Sequence, residues 1–434
     1  MLLNVLLVLL SALLIAIAAI WAVRSLPLHN AQKHIKTAAA TLVSEGAYPQ
    51  AFSSVVTSEN FNRDNVTDLT MLSVMLGGDA EPLTDGLLAY TKVHLLGTPS
   101  DQTQALLSEV PTAYARYWHG YQVVYLPLLE VLTYNGVRIA MGLTMLALLI
   151  IDIYLLITKQ KMKLEALLLI FALLITGCYM APFSLQFSFV FVIALSVSLM
   201  FLAKDHVGRN SARYILLLSG IATAYFDLLT IPLLTLGLPL IILVSIRRKD
   251  SKSLSESYAL MLSSGCYWLL GYVMFWAAKF PIVALASSNK IYADVSSEAS
   301  SILSARLSDG IKAIAVNTSV LLPKELWPRG ASPFIPLGIA FVILFSIWFS
   351  LEIRSRRKRV DWPKPVIAAT PFLAIALFPI VWMMVFGTHS DTHYWMVNRI
   401  LLVTILGLMY FWRYSLQGIS KAIRHDRANS VKSG

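Results

Sequence analysis

The chain has 434 residues, of which 57% are hydrophobic and only 14% charged, and its mean hydropathy is +0.67. Such values exclude a soluble globular domain and point to a multi-pass membrane protein. The formal net charge of +11 comes from 35 Lys and Arg set against 24 Asp and Glu; because the basic residues gather at the ends of apolar runs, the charge reports topology and contact with anionic lipid, and does not point to nucleic acid.

Runs of about 18 or more apolar residues predict ten spans, near 3–23, 136–158, 164–182, 185–203, 213–231, 232–247, 258–280, 334–351, 366–386 and 397–413. The expected class is all-α, a polytopic membrane protein of about ten transmembrane helices with a large helical first loop. The first span lacks a charged leading region, is longer than a signal-peptide core and has no small-x-small site before Arg24, so 1–24 reads as an uncleaved anchor. Basic residues after the even-numbered spans (Lys159, Lys161 and Lys163; Lys204, Arg209 and Arg213; Arg247, Arg248, Lys249 and Lys252; Arg354 to Arg359) predict a cytoplasmic side for those connections and for a tail over 414–434. The segments 25–135 and 281–333 are then extracytoplasmic loops flanking the helices of 136–280 and 334–413. A short outer segment over 387–399 joins them, and six of the eight histidines fall outside: His29, His34, His94 and His119 in the first loop and His389 and His393 in the short one.

In the first loop, "NAQKHIKTAAATLVSEG" predicts a helix ending at Gly46, and "DNVTDLTMLSVMLGG" one capped by Asp64, with Val66, Leu69, Leu72 and Leu76 along one face and an end at Gly77-Gly78. Asp64 and Asp68 are four residues apart and are expected to share a face. They read either as two carboxylates aimed at one polar cavity or as an N-cap beside a solvated acid. The stretch "YARYWHGYQVVY" crowds Arg116, Trp118, His119 and Tyr121 at a membrane edge, as an aromatic belt or as the rim of a site.

Asp227 lies inside the fifth span just before Pro232, where a carboxylate costs roughly 2.5–3.5 kcal/mol and marks a site or a paired group. Thr230, Pro232 and Pro239 predict a broken or kinked helix there. Lys324 and Arg329 surround Trp327 in the second loop, as interface anchors or as holders of an anion. Finally, "HSDTHYWMVNR" sets His389 and His393 at i, i+4 with Arg399 where the last span begins. That spacing suits a metal, a substrate phosphate or a plain interfacial loop. A guanidinium at the outer membrane edge suits a phosphate.

A first span, a large acidic outer loop with interfacial helices, and later spans with Asp, His and Arg at their outer edge resemble the GT-C superfamily of membrane glycosyltransferases. "NFNRDNVTDLTML", "YWHGY", "YFDLLTIP" and "HSDTHYWMVNR" are also similar to segments of bacterial multi-pass proteins of that shape. The resemblance implies a sugar taken from a polyprenyl-phosphate donor to a cell-envelope glycan or lipid-linked acceptor. It implies an outer-loop acid, Asp68 or Asp64, acting as base or divalent-metal ligand, and basic residues, Arg399 with Lys324 or Arg329, holding the donor phosphate. Asp227 and His119 would join the catalytic set, with His389, His393, Arg116, Trp118 and Tyr121 lining the substrate cavity. The chain departs from the family in having its nearest aspartate at Asp64 rather than soon after the first span. A transporter or flippase of a lipid-linked or small polar substrate, and a non-catalytic assembly partner in the envelope, remain the other readings. No nucleotide-binding, hydrolase or cysteine-metal motif occurs.

Overall fold

An apolar run without Gly or Pro forms α1 (Leu2–Arg24), and the chain turns at once into α2 (His29–Glu45). The computed structural model describes residues 2–49, 63–78, 80–92, 111–248, 253–303, 306–319 and 363–432. After α2 come α3 (Asn65–Leu76), α4 (Pro82–Leu88), α5 (Gln122–Val131), α6 (Tyr134–Thr158), α7 (Lys163–Ile175), α8 (Leu185–Leu202), α9 (Arg209–Phe226), α10 (Leu234–Arg247) and α11 (Leu254–Ala277). Then follow α12 (Lys279–Ala286), α13 (Asn289–Leu303), α14 (Leu307–Ser319), α15 (Pro363–Ala376), α16 (Phe378–Val385), α17 (Gly387–Thr392), α18 (Tyr394–Val397) and α19 (Leu401–Lys432). Among the described residues the sole sheet is an antiparallel pair, β1 (Tyr90–Thr91) with β2 (Thr112–Ala113), in which Tyr90 faces Ala113.

Six helical segments among the described residues are long and apolar enough to cross a membrane: Leu3–Arg24, Tyr134–Thr158, Leu185–Leu202, Leu254–Ala286, Lys364–Val385 and Tyr394–Ser420. They coincide with six of the ten expected spans. The expected span 164–182 is cut short: α7 stops at Ile175, Gly177 takes a left-handed φ of 67°, and a 3-10 turn carrying Pro182 follows over Cys178–Phe183. The spans expected at 213–231 and 232–247 become the shorter α9 and α10, parted by a break at 227–233. The span at 334–351 lies outside the described residues. In place of a separate tail, α19 continues the last span to Lys432. Leucine and isoleucine side chains on the outer faces of α1, α6, α7 and α11 are exposed, as lipid-facing surfaces require.

Packed onto one end of this bundle is a layer made by α2 to α5. Both short helices end where expected, on Gly46 and Gly77, each with positive φ, which relieves the Cβ clash of a helix C-terminus. The expected one-sided burial of α3 is not what is found; it is buried on nearly every side, because α2, α6, α8 and α1 enclose it. Arg24, at the end of α1, donates to the carbonyls of Met75 (3.1 Å) and Val74, pairs with Asp85 at 3.1 Å and donates to Gln122 at 2.7 Å. A cation thus closes the negative end of α3, and Asp64 caps its positive end.

α9 crosses α11 closely, and small residues make the crossing. A methyl on Gly220 would overlap the Trp268 carbonyl, and one on Gly271 the Leu217 carbonyl, so the backbones meet where no side chain fits. Gly265, also on α11, faces open space. Gly220→Ala and Gly271→Ala should each destabilise the protein by about 1–3 kcal/mol. Gly265→Ala should be neutral or gain about 0.5–1 kcal/mol from helix propensity. Thermal unfolding in detergent checks this, and equal behaviour of all three variants would refute the close approach.

Candidate functional site

Asp64 is the N-cap of α3. Its Oδ1 accepts from the Thr67 amide at 2.9 Å, and its Oδ2 accepts from the Thr67 hydroxyl at 2.9 Å and from Trp395 Nε1 at 3.1 Å. Asp68, fully buried one turn on, faces other neighbours. Its Oδ2 accepts from the Tyr134 hydroxyl (2.7 Å) and the Leu185 amide (3.0 Å), its Oδ1 accepts from the Gln186 amide (3.2 Å), and Arg138 lies 3.9 Å away. The two acids therefore do not share the single cavity expected of them, because capping turns Asp64 back on its own helix. Nor is Asp68 a solvated acid: it sits at the N-terminus of α8, where free amides and the helix dipole favour an anion. Burial pushes the Asp68 carboxyl up to about 6, against the pull of Arg138 and the amides. Arg138 is itself held by Glu45 at 2.9 Å and by Asn65 at 3.0 Å.

The segment 386–400 meets the α3 cap from the far end of the chain. Trp395 donates to Asp64, packs at a tilt on Tyr48 with ring centres 5.1 Å apart and stands edge-on to His393 at 5.2 Å. The rings of His389 and His393 are 4.7 Å apart, as their spacing promised. His389 Nε2 lies 2.9 Å from the Leu229 carbonyl; a carbonyl only accepts, so Nε2 carries the proton. Burial holds the His389 ring down to about 3, with His393 adding to the effect. Burial also lowers His393, while the Asp64 carboxylate opposes and the Arg116 charge reinforces that shift. Among the described residues no three of His, Cys, Asp and Glu gather in a way that holds a metal ion.

Arg399 does not face outward as a phosphate-binding edge residue would. It is fully buried, its Nη1 donating to the Trp395 carbonyl at 2.7 Å and its guanidinium lying 4.6 Å over the Phe187 ring. The 3-10 turn Asn398–Ile400 directs it inward, against the start of α8. Beside these residues in sequence, Gln186 and Asn398 are buried with both amide ends lacking a hydrogen bond among the described residues. Burying an amide unpaired costs about 1–3 kcal/mol, which marks a place for a polar ligand or water. Their polar character at the ends of apolar runs was the available signal, and the sequence reading passed over it.

Asp227 closes its own turn. It accepts from the Thr230 amide at 3.0 Å and from the Thr230 hydroxyl, so its partner comes from the break itself and not from an outer loop. Leu229, inside the break, adopts a left-handed φ of 64° and offers its carbonyl to His389.

The "YARYWHGY" stretch is a buried knot and not a cavity wall. Trp118 Nε1 donates to the Phe275 carbonyl at 2.8 Å, and the Lys279 ammonium lies 5.1 Å over its ring. His119 has a left-handed φ of 54°; its Nε2 donates to the Tyr114 carbonyl (2.7 Å) and its Nδ1 accepts from the Tyr121 hydroxyl (3.0 Å). Trp118, His119 and Tyr121 are fully buried, while Arg116 and Tyr114 keep some exposure, Arg116 donating to the Tyr114 hydroxyl at 3.1 Å. Lys324 and Arg329 lie outside the described residues. Asp152, unremarked in the sequence reading, is a buried acid within α6 whose oxygens have no hydrogen bond among the described residues. A single carboxylate in a 25-residue apolar helix was its signal.

Four segments distant in sequence therefore converge: the α3 cap, the start of α8, the α9–α10 break and residues 386–400. Comparison with family models, curated proteins and solved structures finds no match to this chain.

Burial drives His119 down to about 3, with Lys279 contributing, against about 6.5 for a free histidine. A depressed value means that the unfolded chain takes up a proton which the folded chain refuses, so stability present above pH 6.5 is lost as pH falls toward 3. His119→Asn tolerates the left-handed backbone and cannot titrate. Its stability should fall about 1.4 kcal/mol less per pH unit across that window. Unfolding followed at pH 7, 5 and 4 tests this, and parallel curves for wild type and variant would refute it.

Proposed function

We propose that the chain is a GT-C-like membrane glycosyltransferase of about ten spans, moving a sugar from a polyprenyl-phosphate donor to a cell-envelope glycan or lipid-linked acceptor. The observation that carries the reading is the meeting of Asp64, His389, His393 and Arg116, whose charges act on one another, where residues 386–400 reach the α3 cap. The distribution of Lys and Arg supports an extracytoplasmic position for that meeting.

In this reading His393 is the general base. Held neutral at pH 7 and beside the Asp64 carboxylate, it takes the proton of the acceptor hydroxyl as the acceptor oxygen bonds to the anomeric carbon. The bond from that carbon to the phosphate oxygen breaks, and its electron pair leaves on the phosphate. Arg116 supplies positive charge for the departing phosphate, and Arg399 supports it from beneath. Asp64 orients the base through Trp395, and Gln186 and Asn398 answer sugar hydroxyls. Asp68 and Asp227 hold the backbone around the site and do not touch substrate.

A second reading draws on one observation. The α9–α10 break and the α16–α18 break touch through His389 and the Leu229 carbonyl, and paired interrupted helices are how transporters build a substrate site.

Purified protein offered a panel of polyprenyl-phosphate sugars should transfer one of them. His393→Gln should then lower turnover by about 10²–10⁴-fold with unchanged melting, and Arg116→Gln should weaken donor use. Wild-type turnover in His393→Gln would remove that residue as base. No transfer with any donor, together with substrate exchange across liposomes, would establish the transporter reading instead.

A further inference from the structure

At the other end of α9, 18 residues or about 27 Å from the break, three helix ends enclose a recess of about 240 Å³. It is lined by Arg209 at the start of α9, Val244 and Arg247 at the end of α10, and Glu256, Ser257 and Leu260 in the first turns of α11. Val244 and Leu260 are buried and form an apolar floor. Arg209 is exposed and has no hydrogen bond or ion pair among the described residues, and Arg247 is turned toward His206 with its Nη1 at 2.9 Å from the ring Nδ1. Gly208, the N-cap of α9, supplies no side chain to the helix's first amides.

We infer that this recess binds one phosphate group, carried by an anionic phospholipid headgroup. Two guanidiniums stand over an apolar floor where α9 and α11 begin and α10 ends, at the end of the apolar helix α11, and basic residues at the ends of membrane helices attract anionic headgroups. Guanidiniums take phosphate oxygens two at a time, and the uncapped amides of α9 add donors of the same sign. Glu256 on the rim disfavours a headgroup of high negative charge and suits a monoanionic phosphodiester. Nothing in this inference depends on sugar transfer at the opposite end.

The test uses the full chain in nanodiscs and measures retained lipid by native mass spectrometry, together with melting temperature. Phosphatidylglycerol should be retained and raise the melting temperature, and phosphatidylcholine should do neither. The double variant Arg209→Gln/Arg247→Gln should weaken phosphatidylglycerol retention by roughly fivefold per arginine removed. The control Lys163→Gln/Lys204→Gln takes the same charge from the same end of the bundle, outside the recess, and should behave as wild type. Equal losses in the two double variants would reduce the effect to general surface charge and overturn the site, as would equal retention of the two lipids. If millimolar inorganic phosphate displaces the lipid in wild type but has no effect in Arg209→Gln/Arg247→Gln, the recess is a phosphate site with a soluble source, and the lipid assignment fails.

Discussion

The carboxylate of Asp68 ties the layer of α2 to α5 to the membrane bundle. It gathers the first amides of α8, the hydroxyl of Tyr134 at the start of α6 and, at longer range, Arg138, which in turn grips Glu45 and Asn65. Helices from the layer and from the bundle are fixed to one another by a group with no access to water. Removing one partner of such a network leaves the others buried without compensation, so the arrangement is held together by the cost of its failure more than by the worth of any single bond. The α3 cap, and with it Asp64, is positioned by this anchor.

What the sequence made legible was local. Asp64 as a cap, Gly46 and Gly77 as helix ends, the break near Pro232 and the shared face of His389 and His393 each depend on residues within a few positions of one another, and all are found. So are six of the expected spans. The expectations that failed depend on partners far away. Arg399 looked like an edge residue because it opens an apolar run, yet Phe187, more than 200 positions earlier, draws it inward. The aromatic crowd around His119 looked like a rim, but Phe275, Lys279 and Tyr225 cover it. Asp227 looked like half of a long-range pair and is satisfied by the next residue but two.

The buried amides of Gln186 and Asn398 belong to the opposite case. Their sequence neighbourhood shows only a polar residue at the end of an apolar run, and it takes the fold to show that their hydrogen-bonding capacity is unspent among the described residues. Polar groups left in that condition inside a close-packed bundle carry more information about where a ligand sits than the exposed charges that sequence reading notices first.

The hydrogen bond from Trp395 to Asp64 joins positions 331 residues apart. During synthesis the N-terminal partner emerges first and must wait while nearly the whole set of helices is made and inserted. A ribosome that stalls before residue 395 leaves a chain that can occupy the membrane, keep its anchor at Asp68 and pack α9 on α11, yet still lack one wall of its site. Closure of that contact is thus a report on completion of the chain.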